Sequence, residues 1–83
     1  MSDLSDKLVG LVETVVEPLV VYPDEVEVTC SSDDREILVE IASNPDDVGK
    51  IIGRQGRIIK AIRTLARAAG AADDRRIEVE ILD

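Results

Sequence analysis

Two glycines divide the most strongly patterned stretch of this chain, which runs from Val48 to Arg67 and has the sequence VGKIIGRQGRIIKAIRTLAR. Gly53 is a poor residue for a helix interior, so it predicts the end of a short helix. A second helix is predicted to begin at about Gly56 or Arg57 and to end at Gly70. The first constraint on the fold is therefore a bare turn between two short helices.

The segment that leads into this turn has the chemistry of a helix start. Asn44 can be the N-cap and Pro45 suits the first helical position. Asp46 and Asp47 favour the positive end of a helix. After the turn, apolar residues fall on one side of the predicted second helix, at Ile58, Ile62, Leu65, Ala66 and Ala69, and basic residues fall on the other, at Lys60, Arg63 and Arg67.

The N-terminal segment predicts a further amphipathic helix, because its apolar residues recur at spacings of three and four: Leu4, Leu8, Leu11, Val12, Val15 and Leu19. Ser2 or Asp3 can cap this helix. Pro18 removes a backbone donor late in the pattern, so we expect a kink or the last turn of the helix there. Pro23 and Asp24 predict a turn.

Three short segments alternate between apolar and polar residues, as half-buried strands do. Their apolar positions are Val26, Val28 and Cys30, then Ile37, Val39 and Ile41, then Ile77, Val79 and Ile81. The polar turn from Ser31 to Asp34 predicts an antiparallel hairpin between the first two strands. The last strand follows a helical crossover, which favours parallel, right-handed pairing.

These elements give the order α-β-β-α-α-β and an α+β fold, with a three-stranded mixed sheet and three helices on one face. We expect one domain over residues 1–83, because the chain has 83 residues in all. The chain has neither a basic n-region followed by an apolar core, as in a signal peptide, nor an apolar run of about 20 residues. We therefore expect a cytoplasmic protein that makes no contact with membranes.

The composition disfavours most kinds of enzyme. The chain has no His, Trp or Phe and only one Cys, so it offers no imidazole base and no metal-ligand cluster. Cys30 without a His to activate it is a poor nucleophile, and we expect a small core residue there. Aspartate pairs at positions 33–34 and 73–74 suit turns, and Glu78 and Glu80 suit a solvated strand face. We predict a protein that is not an enzyme and that needs no cofactor or metal.

The charge distribution points to a polyanionic ligand at the glycine turn. The net charge is −8, yet the stretch from Lys50 to Arg67 holds six basic residues and no acidic one. Glycines let a sugar-phosphate chain approach the backbone closely, and outward-pointing N–H groups at the start of the second helix would attract phosphate. Lys50, Arg54 and Arg57 would add positive charge at the rim. The same pattern also suits a simple turn between helices, and the basic stripe of the second helix also suits a solvated face.

A nucleotide-binding P-loop does not explain the turn. Its pattern G-x-x-x-x-G-K-[ST], aligned on Gly49 and Lys50, needs glycine at position 44 and Ser or Thr at position 51. This chain has Asn44 and Ile51.

The segment IIGRQGRIIKAI resembles the Ile-Gly-x-x-Gly core of a KH domain, and the element order resembles the type II arrangement. The segments PLV, PDEV, DDVGKIIGRQGR and AIRTL are similar, in the same order, to the small bacterial single-KH proteins of the KhpA (YlqC) family. The resemblance implies an RNA chaperone type of protein that binds single-stranded RNA with low sequence specificity. It also implies a homodimer, a heterodimer with a larger KH-containing protein of the KhpB (Jag) type, or both.

Carried over by position, the resemblance assigns the RNA-binding loop to Gly53, Arg54, Gln55 and Gly56. Ile51, Ile52 and Ile59 would line or support an apolar groove for bases, and Lys50, Arg57 and Lys60 complete the predicted RNA-binding set. An alternative is a protein-interaction module, in which the first helix or the loop region mediates assembly and RNA contact is incidental.

Overall fold

The computed structural model describes residues 3–83 and has the predicted order of helices and strands. The elements are α1 (Leu4–Val16), β1 (Glu27–Ser32), β2 (Glu36–Ala42), α2 (Val48–Ile52), α3 (Arg57–Ala69) and β3 (Arg76–Ile81). Within this range, no helix is long and apolar enough to cross a bilayer.

Helix α1 begins and ends close to the predicted positions. Asp3 is the N-cap, and its Oδ1 accepts a hydrogen bond from Asp6 N at 3.0 Å; Ser2, the other candidate, lies outside the described residues. The α-helix ends at Val16 and continues as a 3₁₀ turn that contains Pro18, which confirms the predicted last turn. Leu19, a predicted member of the apolar face, is 36% exposed. The tighter 3₁₀ geometry breaks the 3.6-residue period and turns Leu19 away from the core.

The sheet has the strand order β1-β2-β3 and the predicted pairings. Strands β1 and β2 are antiparallel, with Val28 opposite Ile41, and β2 and β3 are parallel, with Ile37 opposite Ile77. Strand β1 extends through Ser32, so the predicted turn is shorter than Ser31 to Asp34.

Asp33 stabilises the turn between β1 and β2 with its side chain, as predicted for an aspartate in a turn. Its Oδ1 accepts hydrogen bonds from the amides of Arg35 and Glu36, which lower the pKa of this carboxyl.

The core lies between one face of the sheet and the helices, where α1 and α3 pack on the strands and α2 packs on α3. Its buried members from the last helix are Ile59, Ile62 and Ala66. The prediction that Leu65 lies in the core is wrong, since this residue is 44% exposed. It lies about 100° around the helix from Ala66, at the border of the apolar face. Cys30 is half-buried against the core, as predicted.

Candidate nucleic-acid interface

Helix α2 carries the glycine loop, and its start follows the predicted chemistry. Asn44 is the cap, and its Oδ1 accepts a hydrogen bond from Asp46 N at 2.8 Å. Pro45 opens a single 3₁₀ turn, Pro45–Asp47, which leads directly into α2. The amide of the Asn44 side chain also donates to the Glu25 carboxylate, with distances of 3.1 and 3.2 Å to the two oxygens.

Asp47 has a role that the sequence did not indicate. Its side chain makes no capping hydrogen bond to α2, so its role is not only that of a residue at the start of a helix. The residue is completely buried. Its Oδ1 accepts from the backbone N–H of Val21 and its Oδ2 from that of Tyr22, each at 3.0 Å. The partners are 25 and 26 residues away in the chain, so no local pattern could reveal the contact.

The loop between α2 and α3 depends on three backbone positions with positive φ. Gly53 ends α2 with φ 76° and ψ 174°, a conformation that essentially only glycine adopts. Gln55 (φ 57°) and Gly56 (φ 73°) follow in the left-handed helical region. The bare turn predicted from the two glycines is therefore present, and α3 begins at Arg57 as expected.

Two amides at the start of α3 are already occupied. Gly56 N donates to Gly53 O at 3.1 Å, and Arg57 N donates to Arg54 O. The expectation that the N–H groups opening this helix point outward is therefore wrong for these two, because the 3₁₀ turn of the loop uses them. In this conformation these two amides are not free to bind an anion.

Those side chains are exposed and largely uncompensated. Arg54, Arg57 and Lys60 all lie at the surface, and none of them forms an ion pair with any residue from 3 to 83. Lys50 is also exposed, with Nζ 3.9 Å from Asp47 Oδ1. Gln55 accepts only a long hydrogen bond of 3.4 Å from Arg57. The loop therefore presents positive charge beside glycines that have no side chain.

The predicted basic stripe along α3 is interrupted. Arg63 is half-buried rather than solvated, and its Nε donates to Val79 O at 3.3 Å, on the edge strand β3. Lys60 and Arg67 remain exposed. Of these residues, only Lys60 lies next to the loop and extends the positive charge of the loop.

The apolar residues near the loop divide into one open and two buried positions. Ile52 is 38% exposed, so it can meet a ligand directly. Ile51 is completely buried and Ile59 is 6% exposed. These two are placed to support a groove from below, which is one of the two roles predicted for them, and Ile51 stays a predicted member of the RNA-binding set.

A second group of arginines lies at the far end of α3, around a surface cleft of about 240 Å³ that Arg67, Arg75 and Arg76 line together with Asp73. Asp73 binds the Arg75 guanidinium through two side-chain bonds of 2.8 and 3.0 Å, and Arg75 lowers the pKa of the Asp73 carboxyl to about 2. The hydrogen-bonded Asp73 carboxylate in turn raises the pKa of Arg75, and the charges of Asp3 and Asp34 add to this effect. Arg75 is thus paired with an acidic group and Arg76 Nε lies 3.9 Å from Glu78 Oε1, whereas Arg67 has no ion-pair partner among residues 3–83.

The open face of the sheet is acidic. Glu40 lies beside Glu80, and Leu38 lies beside Glu78, on the face opposite the core. Like charges on neighbouring strands repel each other and repel an RNA backbone. This face of the sheet therefore disfavours a polyanion, in contrast to the side of the glycine loop.

Comparison with known proteins gives concordant matches. Residues 10–81 match the family model described as KhpA/KhpB, KH domain. RNA-binding protein KhpA of Clostridium acetobutylicum is 46% identical over 72 residues, which cover 87% of this chain and 96% of that protein. RNA-binding protein KhpA of Borreliella burgdorferi is 44% identical over 75 residues, which cover 90% of this chain and 92% of that protein.

A solved structure of Era in complex with MgGDPNP and nucleotides 1506–1542 of 16S ribosomal RNA is also similar, with a TM-score of 0.69. The match covers 98% of this chain and 32% of the Era chain, at 18% sequence identity. At that identity the likeness concerns the fold alone.

Proposed function

Because this chain belongs to the KhpA/KhpB family of KH domains, we propose that it binds single-stranded RNA at the loop formed by Gly53, Arg54, Gln55 and Gly56. The observation that carries the proposal is the local charge. Arg54, Arg57 and Lys60 lie exposed around this loop and have no ion-pair partner among residues 3–83, in a chain whose net charge is −8.

The loop holds the RNA backbone. Gly53 and Gly56 leave room for the sugar-phosphate chain, Arg54, Arg57 and Lys60 neutralise its phosphates, and Lys50, which lies 3.9 Å from Asp47, adds positive charge at the rim. A KH loop of this kind clamps about four nucleotides. The side chains supply most of the attraction, since the amides of Gly56 and Arg57 bind within the loop.

The bases meet an aliphatic surface. Ile52 is the exposed apolar residue next to the loop, and Ile51 and Ile59 support it from the core. The chain has no Phe or Trp, so RNA binding has little aromatic stacking with which to distinguish bases. We therefore expect low sequence preference and modest affinity for one domain.

The test replaces Arg54 and Gln55 by Asp and measures binding of a fluorescent uridine oligomer at low salt. A matched control replaces Lys7 and Thr14 by Asp, because both are exposed on α1 and the change in net charge is the same. R54D/Q55D should abolish binding, and K7D/T14D should weaken it only slightly. Equal losses in the two variants, or unchanged binding in R54D/Q55D, would refute the loop assignment.

The wider role that we propose is that of a small cytoplasmic RNA chaperone, built as a single KH domain and without catalytic activity. A second KH module raises weak RNA affinity through its effective concentration. This module is supplied by a second copy of the chain or by a larger KH-containing partner of the KhpB (Jag) type.

The second candidate function is a protein-interaction module with incidental RNA contact. Exposed apolar residues favour it, especially Leu65, which lies on α3 at 44% exposure where the pattern predicted burial. L65E should shift any dimer to monomer in sedimentation velocity experiments without removing RNA binding to the loop. If L65E removes RNA binding completely, assembly rather than the loop governs RNA contact.

A further inference from the structure

Helix α2, which leads into the loop, cannot hold its own position. It has only five residues, from Val48 to Ile52, and isolated helices shorter than about 12 residues are marginal in water. Its place therefore depends on contacts with the rest of the fold. Ile51 anchors its middle in the core, and Gly53 packs against Ile58 at its end.

Its beginning is anchored by Asp47, which is the one buried charged residue among those the structure describes. Both carboxylate oxygens are used, by the amides of Val21 and Tyr22. Hydrogen bonds to an ionised acceptor are stronger than neutral ones. The connection between α1 and β1 is thus tied to the turn that starts α2.

Asp47 also faces the first cation of the loop region. Lys50 Nζ lies 3.9 Å from Asp47 Oδ1, and this lysine is one turn further along α2. The same carboxylate that fixes the helix to Val21 and Tyr22 therefore restrains the direction of the Lys50 side chain. Lys50 is the first basic residue of the loop region, so the first of these positive charges has a restrained position.

We infer that Asp47 is a positioning residue of the RNA-binding loop: its carboxylate holds α2 against the Val21–Tyr22 backbone and so fixes the geometry in which the loop meets phosphate. This inference rests on the proposed RNA binding, and it adds a residue that touches no RNA itself. Without the two hydrogen bonds to Asp47, one end of α2 is free, and the loop then samples arrangements that meet fewer phosphates.

The test is D47N, which keeps the shape of the side chain but turns one of its two acceptors into an N–H₂ group. A matched control is V12A, which destabilises the fold at a buried position of α1, a helix that packs mainly on β1 and α3. Both proteins are measured under conditions where circular dichroism shows them folded. RNA affinity and its salt dependence are then determined for the same uridine oligomer.

D47N should bind RNA at least about ten-fold more weakly, and the slope of log K against log salt should become shallower by about 0.7 for each phosphate that the loop no longer neutralises. V12A should keep the affinity and slope of the unchanged protein. The inference is overturned if D47N behaves like V12A, or if V12A loses as much affinity as D47N.

A measurement without RNA separates this inference from the proposed function. Amide hydrogen exchange at Gly53 and Gly56 should be faster in D47N than in V12A at equal global stability. If exchange at the loop is unchanged, the positioning role is wrong even where the loop binds RNA. If loop exchange changes but the unchanged protein binds no RNA, the proposed function fails, and with it the role of Asp47 in RNA binding.

Should D47N fail to fold, the unchanged protein still provides a test. RNA binding should slow hydrogen exchange at Val21 and Tyr22 more than at Thr29, a strand residue that Asp47 does not bind. Equal slowing at all three amides would overturn the coupling between Asp47 and the loop.

Discussion

A Cβ atom placed on Gly53 would lie 2.6 Å from Cγ1 of Ile58 and 2.9 Å from its Cβ. The other loop glycine, Gly56, would meet nothing closer than Lys60 Cε at 3.8 Å. The two glycines are therefore required for different reasons. Gly53 needs both its backbone conformation and the empty space, and Gly56 needs only its backbone conformation.

This difference predicts unequal effects of substitution. G53A should lower the free energy of unfolding by about 2 kcal/mol or more, because it combines overpacking with a disallowed backbone conformation. G56N should lower it by less than about 1 kcal/mol, because asparagine tolerates the left-handed region. Urea unfolding measures both values, and equal losses would contradict the packing that we describe around Ile58.

Two further glycines should respond in opposite directions. Gly10 lies within α1, and a Cβ there would meet nothing within 4 Å, so G10A should stabilise the fold by about 0.5–1 kcal/mol. Gly70, after α3, faces Ile77, and a Cβ there would overlap Ile77 Cδ1. G70A should therefore destabilise by about 1–3 kcal/mol. A G70A protein as stable as the original in urea would show that the end of α3 has room to adjust.

The ion pair between Asp73 and Arg75 predicts part of the loss of folding stability at acid pH. The pKa of Asp73 is about 2 in the folded chain against an ordinary value of 3.8. A lowered pKa stabilises the fold at neutral pH, and the contribution is lost as pH falls from about 5 towards 2. The stability difference between the original protein and D73N should therefore shrink over that range. D74N is the control, and a D73N difference that is the same at neutral and at acid pH would contradict the pairing.

The salt dependence of RNA binding should report how many loop cations meet phosphate. Arg54, Arg57 and Lys60 together predict a slope of log K against log salt of about −2, from about −0.7 per phosphate on a single strand. R54Q should make this slope shallower by about 0.7. Titrations of a uridine oligomer at several salt concentrations measure it. A slope that R54Q leaves unchanged would mean that Arg54 does not contact the backbone.

Local patterns were sufficient to predict most of the fold. Alternation at Ile37, Val39 and Ile41 predicted a central strand, and the crossover predicted its parallel partner. Asn44 and Pro45 predicted the start of the helical segment before the loop. Each of these signals acts within a few residues, and such signals survive unchanged in the folded chain.

The features that escaped prediction depend on distant contacts or on small changes of helical phase. Asp47 binds amides more than 20 residues away, and Arg63 turns to the edge of β3. Leu65 lies at the border of an apolar arc, where the helical period alone does not decide burial. The occupied amides of Gly56 and Arg57 follow from the 3₁₀ turn in the loop, which the two glycines allow but do not specify.

The most direct test of RNA binding at the glycine loop is a titration of the ¹⁵N-labelled chain with a short uridine oligomer at low salt, followed by NMR. We predict that the largest chemical-shift changes fall on residues 50–60, centred on the loop from Gly53 to Gly56. Changes centred on Glu40 and Glu80 of the open sheet face, or on the cleft at Arg67 and Arg75, would contradict the account. So would spectra that do not change at all.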